Sequence, residues 1–297
     1  MASREFEQAL KFFPKGISNP SDPLDVVREK FAAAHGHDPG DDVQVERVEL
    51  GGVPCVWVTP KAEPKPDRTL FFVHGGGFVS CAAEEYTFYA GWAARDVGAR
   101  VCIVGYRLAP EHHFPAQLDD LFAAYQALVA AGEDPGRMSF LGDSCGGGMA
   151  VATLLRLRDA GEPLPACAVS LCGWFDLTAS GDSARNPVGE DPFLDPEWLR
   201  VRGRDYVGPD GDPQHPLASP IHGDLSGLPP LLLQTGQMDR CRDDATRLAA
   251  NAGRAGVAVT LEIWPEMIHG FQGLYGSCPE PVWAFRHVRD FVRHHVP

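Results

Sequence analysis

No two cysteines of this chain stand at CxxC spacing, no apolar run reaches the roughly 18 residues of a membrane span, and no stretch rich in Lys and Arg carries interleaved aromatics. The eight cysteines (Cys55, Cys81, Cys102, Cys145, Cys167, Cys172, Cys241 and Cys278) are scattered. Several fall in apolar stretches where a free thiol packs as a small hydrophobe, so they read as reduced and structural. The second absence excludes stable insertion in a membrane as a single helix. The third, with a formal net charge of −14, excludes nucleic acid as a partner and argues against strongly anionic substrates. At the amino terminus Arg4, Glu5, Glu7 and Lys11 interrupt the apolar stretch that a secretory signal needs, which makes cytoplasmic residence the expectation.

What is present suffices for a sizeable core. The chain has 297 residues, 44% of them hydrophobic, and no linker divides it, so residues 1–297 are expected to form one domain. Phe6, Leu10 and Phe13 recur at helical spacing. Val26, Val27 and Phe31 suggest a second short helix after the break from Ser18 to Pro23. From about Val43 the pattern becomes strands separated by helical segments, the signature of a mostly parallel sheet covered on both faces. The expected strands are Val43 to Glu49, Val53 to Val58, Thr69 to Val73 and Arg100 to Val104, then Arg137 to Leu141, Ala166 to Leu171, Leu231 to Gln234 and Val257 to Ile263. Gly51-Gly52 joins the first two as an antiparallel hairpin. Helices are expected near Phe88 to Val97, Pro115 to Ala131, Gly146 to Ala160 and Arg242 to Ala255. Residues from about Thr178 to Ser219, rich in Pro, Gly and Asp, break the alternation after the sixth strand. An excursion of that length is expected to lie over the carboxyl edge of the sheet, meeting the N-terminal helices.

Three motifs carry chemistry. Gly142-Asp143-Ser144-Cys145-Gly146 follows an apolar strand and precedes a helical run, so its glycines permit a tight turn that lifts the Ser144 hydroxyl clear at the positive end of a helix. His74-Gly75-Gly76-Gly77-Phe78 ends another strand, where backbone N–H groups free of side-chain obstruction can be aimed at an oxyanion. Neither G-x-x-x-x-G-K-[ST] nor G-x-G-x-x-G can be drawn there, which argues against a phosphate loop. Asp239 and His269 each follow a late strand, at carboxyl ends where active sites of open α/β sheets collect. His269 is placed to take the serine proton, with Asp239 holding its ring in the useful tautomer. Among the other carboxylates, Asp243 and Asp244 are expected on the next helix facing solvent, Asp176 follows the wrong strand, and Asp143 adjoins the nucleophile.

The order Ser, Asp, His is that of α/β-hydrolases. Together with Tyr106-Arg107-Leu108-Ala109-Pro110-Glu111-His112-His113-Phe114-Pro115 and the final His269-Gly270-Phe271, these motifs resemble the bacterial hormone-sensitive lipase-like esterases, over nearly the whole chain from about residue 43. The resemblance implies an α/β-hydrolase fold with an eight-stranded, mostly parallel sheet and a cap built from residues of about 1–42 and about 178–219. It implies oxyanion donors at Gly76, Gly77 and the N–H of Cys145, and a preference for short to medium acyl chains. Cys145 stands where that family usually has alanine, so its side chain could crowd the pocket or invite thiol modification.

The expected activity is therefore a cofactor-free and metal-free serine carboxylesterase acting on a small ester through an acyl-enzyme. Hydrolysis of an amide or acetyl group on a specialised metabolite with the same triad is one alternative, and a non-catalytic small-molecule receptor is the other. His35 and His37, near Asp38, Asp41 and Asp42, read as a solvated polar turn rather than a metal site, since HExxH and Cys/His spacing are lacking. His112 and His113, and His294 and His295, read the same way, while His74 buttresses the glycine loop. A homodimer could form through the last strand or its neighbouring helix, Val282 to His294.

Overall fold

A computed structural model describes residues 2–12, 16–62, 66–186, 188–189 and 191–296; Phe13 lies outside them. In chain order the elements are α1 (Arg4–Phe12), α2 (Leu24–His35), β1 (Val43–Leu50), β2 (Val53–Pro60), β3 (Thr69–Val73), α3 (Thr87–Val97), β4 (Arg100–Val104), α4 (Ala116–Ala130), β5 (Met138–Asp143) and α5 (Cys145–Asp159). They continue with β6 (Cys167–Leu171), α6 (Asp182–Arg185), α7 (Pro196–Val207), β7 (Leu231–Gly236), α8 (Arg242–Arg254), β8 (Val259–Trp264) and α9 (Pro279–His295). All eight expected strands form, β3 and β4 with the expected bounds and the others with ends displaced by at most two residues.

Every residue of β3, β5, β6 and β7 is buried, which accounts for their continuous apolar sequence: helices cover both faces. The sheet order is β1-β2-β4-β3-β5-β6-β7-β8. β2 pairs antiparallel with β1 and β4, and the pairs from β4 onward are parallel. The order reverses at β3 and β5, whose carboxyl ends are therefore the natural crevice for a ligand. The glycine loop leaves one of these strands and Ser144 leaves the other.

The N-terminal segment is fastened above this crevice by specific bonds. Ser3 donates from N and Oγ to the Glu280 carboxylate at 2.6 and 3.0 Å. Phe6, 1% exposed, packs with Met267, Ile268 and Phe271 around the chain that carries His269. From α2, the Arg28 guanidinium donates to the carbonyls of Val79 and Ala109 and forms two 2.7–2.8 Å bonds to Glu111. The insertion contains a helix that the composition of the segment hid. Asp195 caps α7 by accepting from Glu197 N and Trp198 N, and Pro196 fills its first turn, where the missing N–H has no intrahelical partner to lose. Ser18 Oγ donates to the Phe193 carbonyl and accepts from Asp195 N, joining the two segments.

One expectation fails. Asp244 does not face solvent: it is 3% exposed and its Oδ2 accepts from Phe175 N and Asp176 N at 3.0 and 2.9 Å. Asp243 is half-buried and accepts from Ser183 N at 2.9 Å. The acidic first turn of α8 points at the loop leaving β6, whose donors it satisfies. Asp176 is likewise structural, bonded to Thr178, Ser180 and Arg247. Asp244→Ala leaves two buried N–H groups without an acceptor and should destabilise the protein by about 3 kcal/mol, read as a lower urea midpoint. Asp244→Asn, which keeps an acceptor oxygen, should lose less.

Candidate active site

The strand β5 passes into α5 through a turn too tight for side chains on either flank. A Cβ at Gly142 would overlap the Gly146 carbonyl, and one at Gly146 would overlap the Val73 carbonyl of the neighbouring strand. Between them Ser144 takes φ 54°, ψ −122°, a conformation that a non-glycine residue holds only when its surroundings impose it. The imposing bonds are Ser144 N to the Leu171 carbonyl at 2.9 Å, and Gly147 N and Trp174 N to the Ser144 carbonyl at 2.9 and 3.0 Å. The hydroxyl is thus presented at the start of α5.

Ser144, His269 and Asp239, expected together from the sequence, lie in one hydrogen-bonded chain. In the neutral imidazole Nδ1–H donates to Asp239 Oδ1 at 2.9 Å, leaving Nε2 to accept from Ser144 Oγ at 2.8 Å. Asp239 is fixed in turn by Cys241 N at 2.7 Å and the Thr235 hydroxyl at 3.1 Å. His269 and Asp239 are each 1% exposed. Cys172 joins them in a buried cluster whose ligating atoms lie within 4.8 Å of one another. Because His269 Nδ1 and Asp239 are already bonded to each other, that cluster is not preorganised for a metal ion.

Two further carboxyl groups act on the histidine: Asp143, noted in the sequence only as the neighbour of Ser144, and Asp191, which no motif marked. Asp191, from the insertion, is buried; its Oδ1 accepts from Phe193 N at 2.9 Å, and burial with the neighbouring Asp239 charge raises it to about 6. Asp143 takes a 2.9 Å bond from the Tyr86 hydroxyl and is raised by burial to about 6, against the pull of His269 and Tyr86. Burial alone would lower the His269 pKa. The carboxylates of Asp239, Asp191 and Asp143 outweigh it and raise the imidazole to about 9.

Gly76 and Gly77 line the same cavity as Ser144 and His269, which measures about 800 Å³. Both glycines have positive φ, and a Cβ at Gly77 would overlap the ring of Trp198, so α7 closes directly onto the glycine loop. His74 lies beneath that loop, stacked on Tyr106 at 4.2 Å with Nδ1 2.8 Å from the Gly75 carbonyl, and burial lowers it to about 4. Two expectations need correction. Cys145 does not crowd the cavity: its side chain is fully buried against Phe78, whose N–H it accepts at 3.2 Å, and burial pushes the thiol up to about 12. His35 is not in a solvated turn, because α2 extends to it. Its Nδ1–H donates to the Phe31 carbonyl at 2.8 Å, its ring stacks on Tyr86 at 4.9 Å, and it lines the cavity.

A model of the α/β hydrolase fold family matches residues 70–273, a span that contains the glycine loop, Ser144, Asp239 and His269. The chain belongs to this family. Within it, this hydrolase is 41% identical to an acetyl-hydrolase of Streptomyces hygroscopicus over 92% of its own length and 89% of the relative. It is 32% identical to an esterase of Acinetobacter venetianus, covering 84% and 82% of the two chains. Its fold superposes with a TM-score of 0.93 on the crystal structure of an esterase from the bacterial hormone-sensitive lipase family, at 36% identity over 100% of both chains. It is a hormone-sensitive lipase-like hydrolase. Among the described residues, no helix is long and apolar enough to cross a membrane.

The three carboxylates make one measurement decisive. Followed by NMR, the His269 imidazole should titrate with a midpoint near pH 9, and Asp191→Asn should move that midpoint down, since it removes one source of stabilisation of the imidazolium. An unchanged midpoint would show that Asp191 does not act on the ring.

Proposed function

We propose that this hydrolase cleaves small carboxylic esters with short to medium acyl chains by forming an acyl-enzyme on Ser144. The observation that carries the reading is the chain from Ser144 Oγ through His269 to Asp239, with bonds of 2.8 and 2.9 Å. Ser144 Oγ attacks the ester carbonyl as its proton passes to His269 Nε2. The charge that develops on the carbonyl oxygen rests on the N–H groups of Gly76, Gly77 and Cys145. The imidazolium, stabilised by Asp239, protonates the departing alcohol; water then attacks the acyl group with His269 again as base. A short acyl group agrees with the name of the Streptomyces relative.

The N-terminal segment of about 1–42 and the insertion of about 178–219 serve in this reading as a cap on a single domain of residues 1–297. Glu5 and Phe31 from the first, and Phe193 and Trp198 from the second, line the cavity over Ser144. Eight free, buried thiols support residence in a reducing compartment, the cytoplasm. The edge strand β8 and α9 expose Ile263 and Trp283, 43% and 47% accessible, and a homodimer would cover them; analytical ultracentrifugation of Trp283→Glu against the natural chain reads this out as loss of the dimer. The deacetylase or amidase alternative and the receptor alternative are not favoured: several relatives carry esterase or carboxylesterase names, and a complete triad has no use in a passive binder.

Ser144→Ala should lower kcat on a short-chain ester by on the order of 10⁶ while leaving the fold intact. Near-normal hydrolysis by that variant would refute the mechanism. A serine-directed organophosphate should label the natural chain stoichiometrically at Ser144. Because only the neutral imidazole can accept the serine proton, kcat/KM should rise with pH through about 9.

A further inference from the structure

We propose that the ester this site is built to take carries an aromatic ring in its acyl or its alcohol portion. The inference rests on the ester hydrolase reading above and narrows its substrate class. Its basis is a continuous track of rings along the cavity. The track starts over the catalytic histidine, where Phe193 lies 5.6 Å from the His269 ring, and passes by Phe31 at 5.9 Å to His35 at 6.0 Å. From there it runs to Tyr86 at 4.9 Å, Phe88 at 6.5 Å, Trp92 at 4.9 Å and Tyr275 at 4.8 Å. Each of these side chains lines the cavity that holds Ser144. Aromatics make up 9% of the chain, so this concentration is local to the site.

The track offers both kinds of ring surface. Phe88 meets Trp92 edge to face at 88°, whereas Trp92 and Tyr275 stack within 21°, so an added ring can find an offset face or an edge along the same wall. Aliphatic lining is sparse by comparison: Leu194, Leu274 and three alanines, with no Ile, Val or Met among the described lining residues. An extended alkyl chain fits a wall of branched aliphatic side chains at least as well, and gains nothing from ring quadrupoles. A volume of about 800 Å³ accommodates a ring and both halves of an ester, given that a cavity of roughly 150 Å³ holds benzene. The lining includes the acids Glu5 and Asp143 and, among the described residues, no Lys or Arg. The ring is therefore one without an anionic substituent.

The test compares esters matched in size but not in aromaticity. Methyl phenylacetate against methyl cyclohexylacetate places the ring in the acyl portion; benzyl acetate against cyclohexylmethyl acetate places it in the alcohol portion. In one of the two pairs kcat/KM should favour the aromatic member by about tenfold, the sum of one or two good ring contacts, and that pair identifies the portion concerned. Ratios below threefold in both pairs overturn the proposal. Trp92→Leu and Tyr275→Leu, each checked for folding by circular dichroism, should bring the favoured ratio below threefold. The ratio is taken within each variant, so a general loss of rate does not affect it; persistence of the tenfold preference in both variants also overturns the assignment. Turnover of vinyl acetate by the natural chain, abolished in Ser144→Ala, tests the hydrolase reading separately, so failure of one is distinguishable from failure of the other.

Discussion

The constraint on which the site depends is the absence of room for a Cβ where β5 turns into α5. Gly146 lets the backbone pack against the Val73 carbonyl and Gly142 lets it pack against the Gly146 carbonyl, and this close approach, with the hydrogen bonds at Ser144, holds that residue at positive φ with its hydroxyl raised. The neighbouring strand β3, whose last residue supplies the contacted carbonyl, also leads into the glycine loop. Ser144 and the glycine loop are thus placed relative to each other by adjacent strands at the point where the sheet order reverses.

Around that rigid floor the electrostatics are arranged to oppose burial. A histidine with 1% exposure would ordinarily be held neutral. Three carboxyl groups supplied by three separate segments oppose this and raise the imidazole above its ordinary pKa. In the proposed mechanism, this arrangement stabilises the charge that the ring acquires when it takes the Ser144 proton. Asp239 follows β7 and Asp143 precedes Ser144, but Asp191 comes from the insertion, so a segment that lines the cavity also contributes to the field acting on the ring.

The sheet was legible in the sequence because its central strands are buried on both faces and read as largely apolar runs, and because Gly51-Gly52 and the alternating helices punctuate the rest. Ser144, Asp239 and His269 were legible for a related reason: each lies just after a strand, in a motif whose spacing has a mechanical purpose. The insertion was only partly readable. Its length and composition marked residues 178–219 as an excursion, yet the helix within it announces itself only through the Asp195-Pro196 start, and Asp191 has no periodicity or motif around it. Asp243 and Asp244 were misread because an acidic first turn usually faces water, whereas here the loop after β6 brings unsatisfied N–H groups to it. The tie from Arg28 to Glu111 spans 83 positions and no local pattern could disclose it.

The burial of the eight thiols turns them into internal clocks. Cys102, Cys145, Cys167 and Cys172, all 0% exposed, cannot meet a water-borne alkylating reagent while the native packing holds, so uptake at each reports an opening of the layer in which that sulfur lies. Cys102 and Cys167 sit within sheet strands, Cys241 and Cys278 next to helix starts, and Cys145 immediately behind the reactive serine. Ranking their alkylation rates by mass spectrometry would give, from one unmodified chain, a depth-resolved record of which parts of the molecule breathe together.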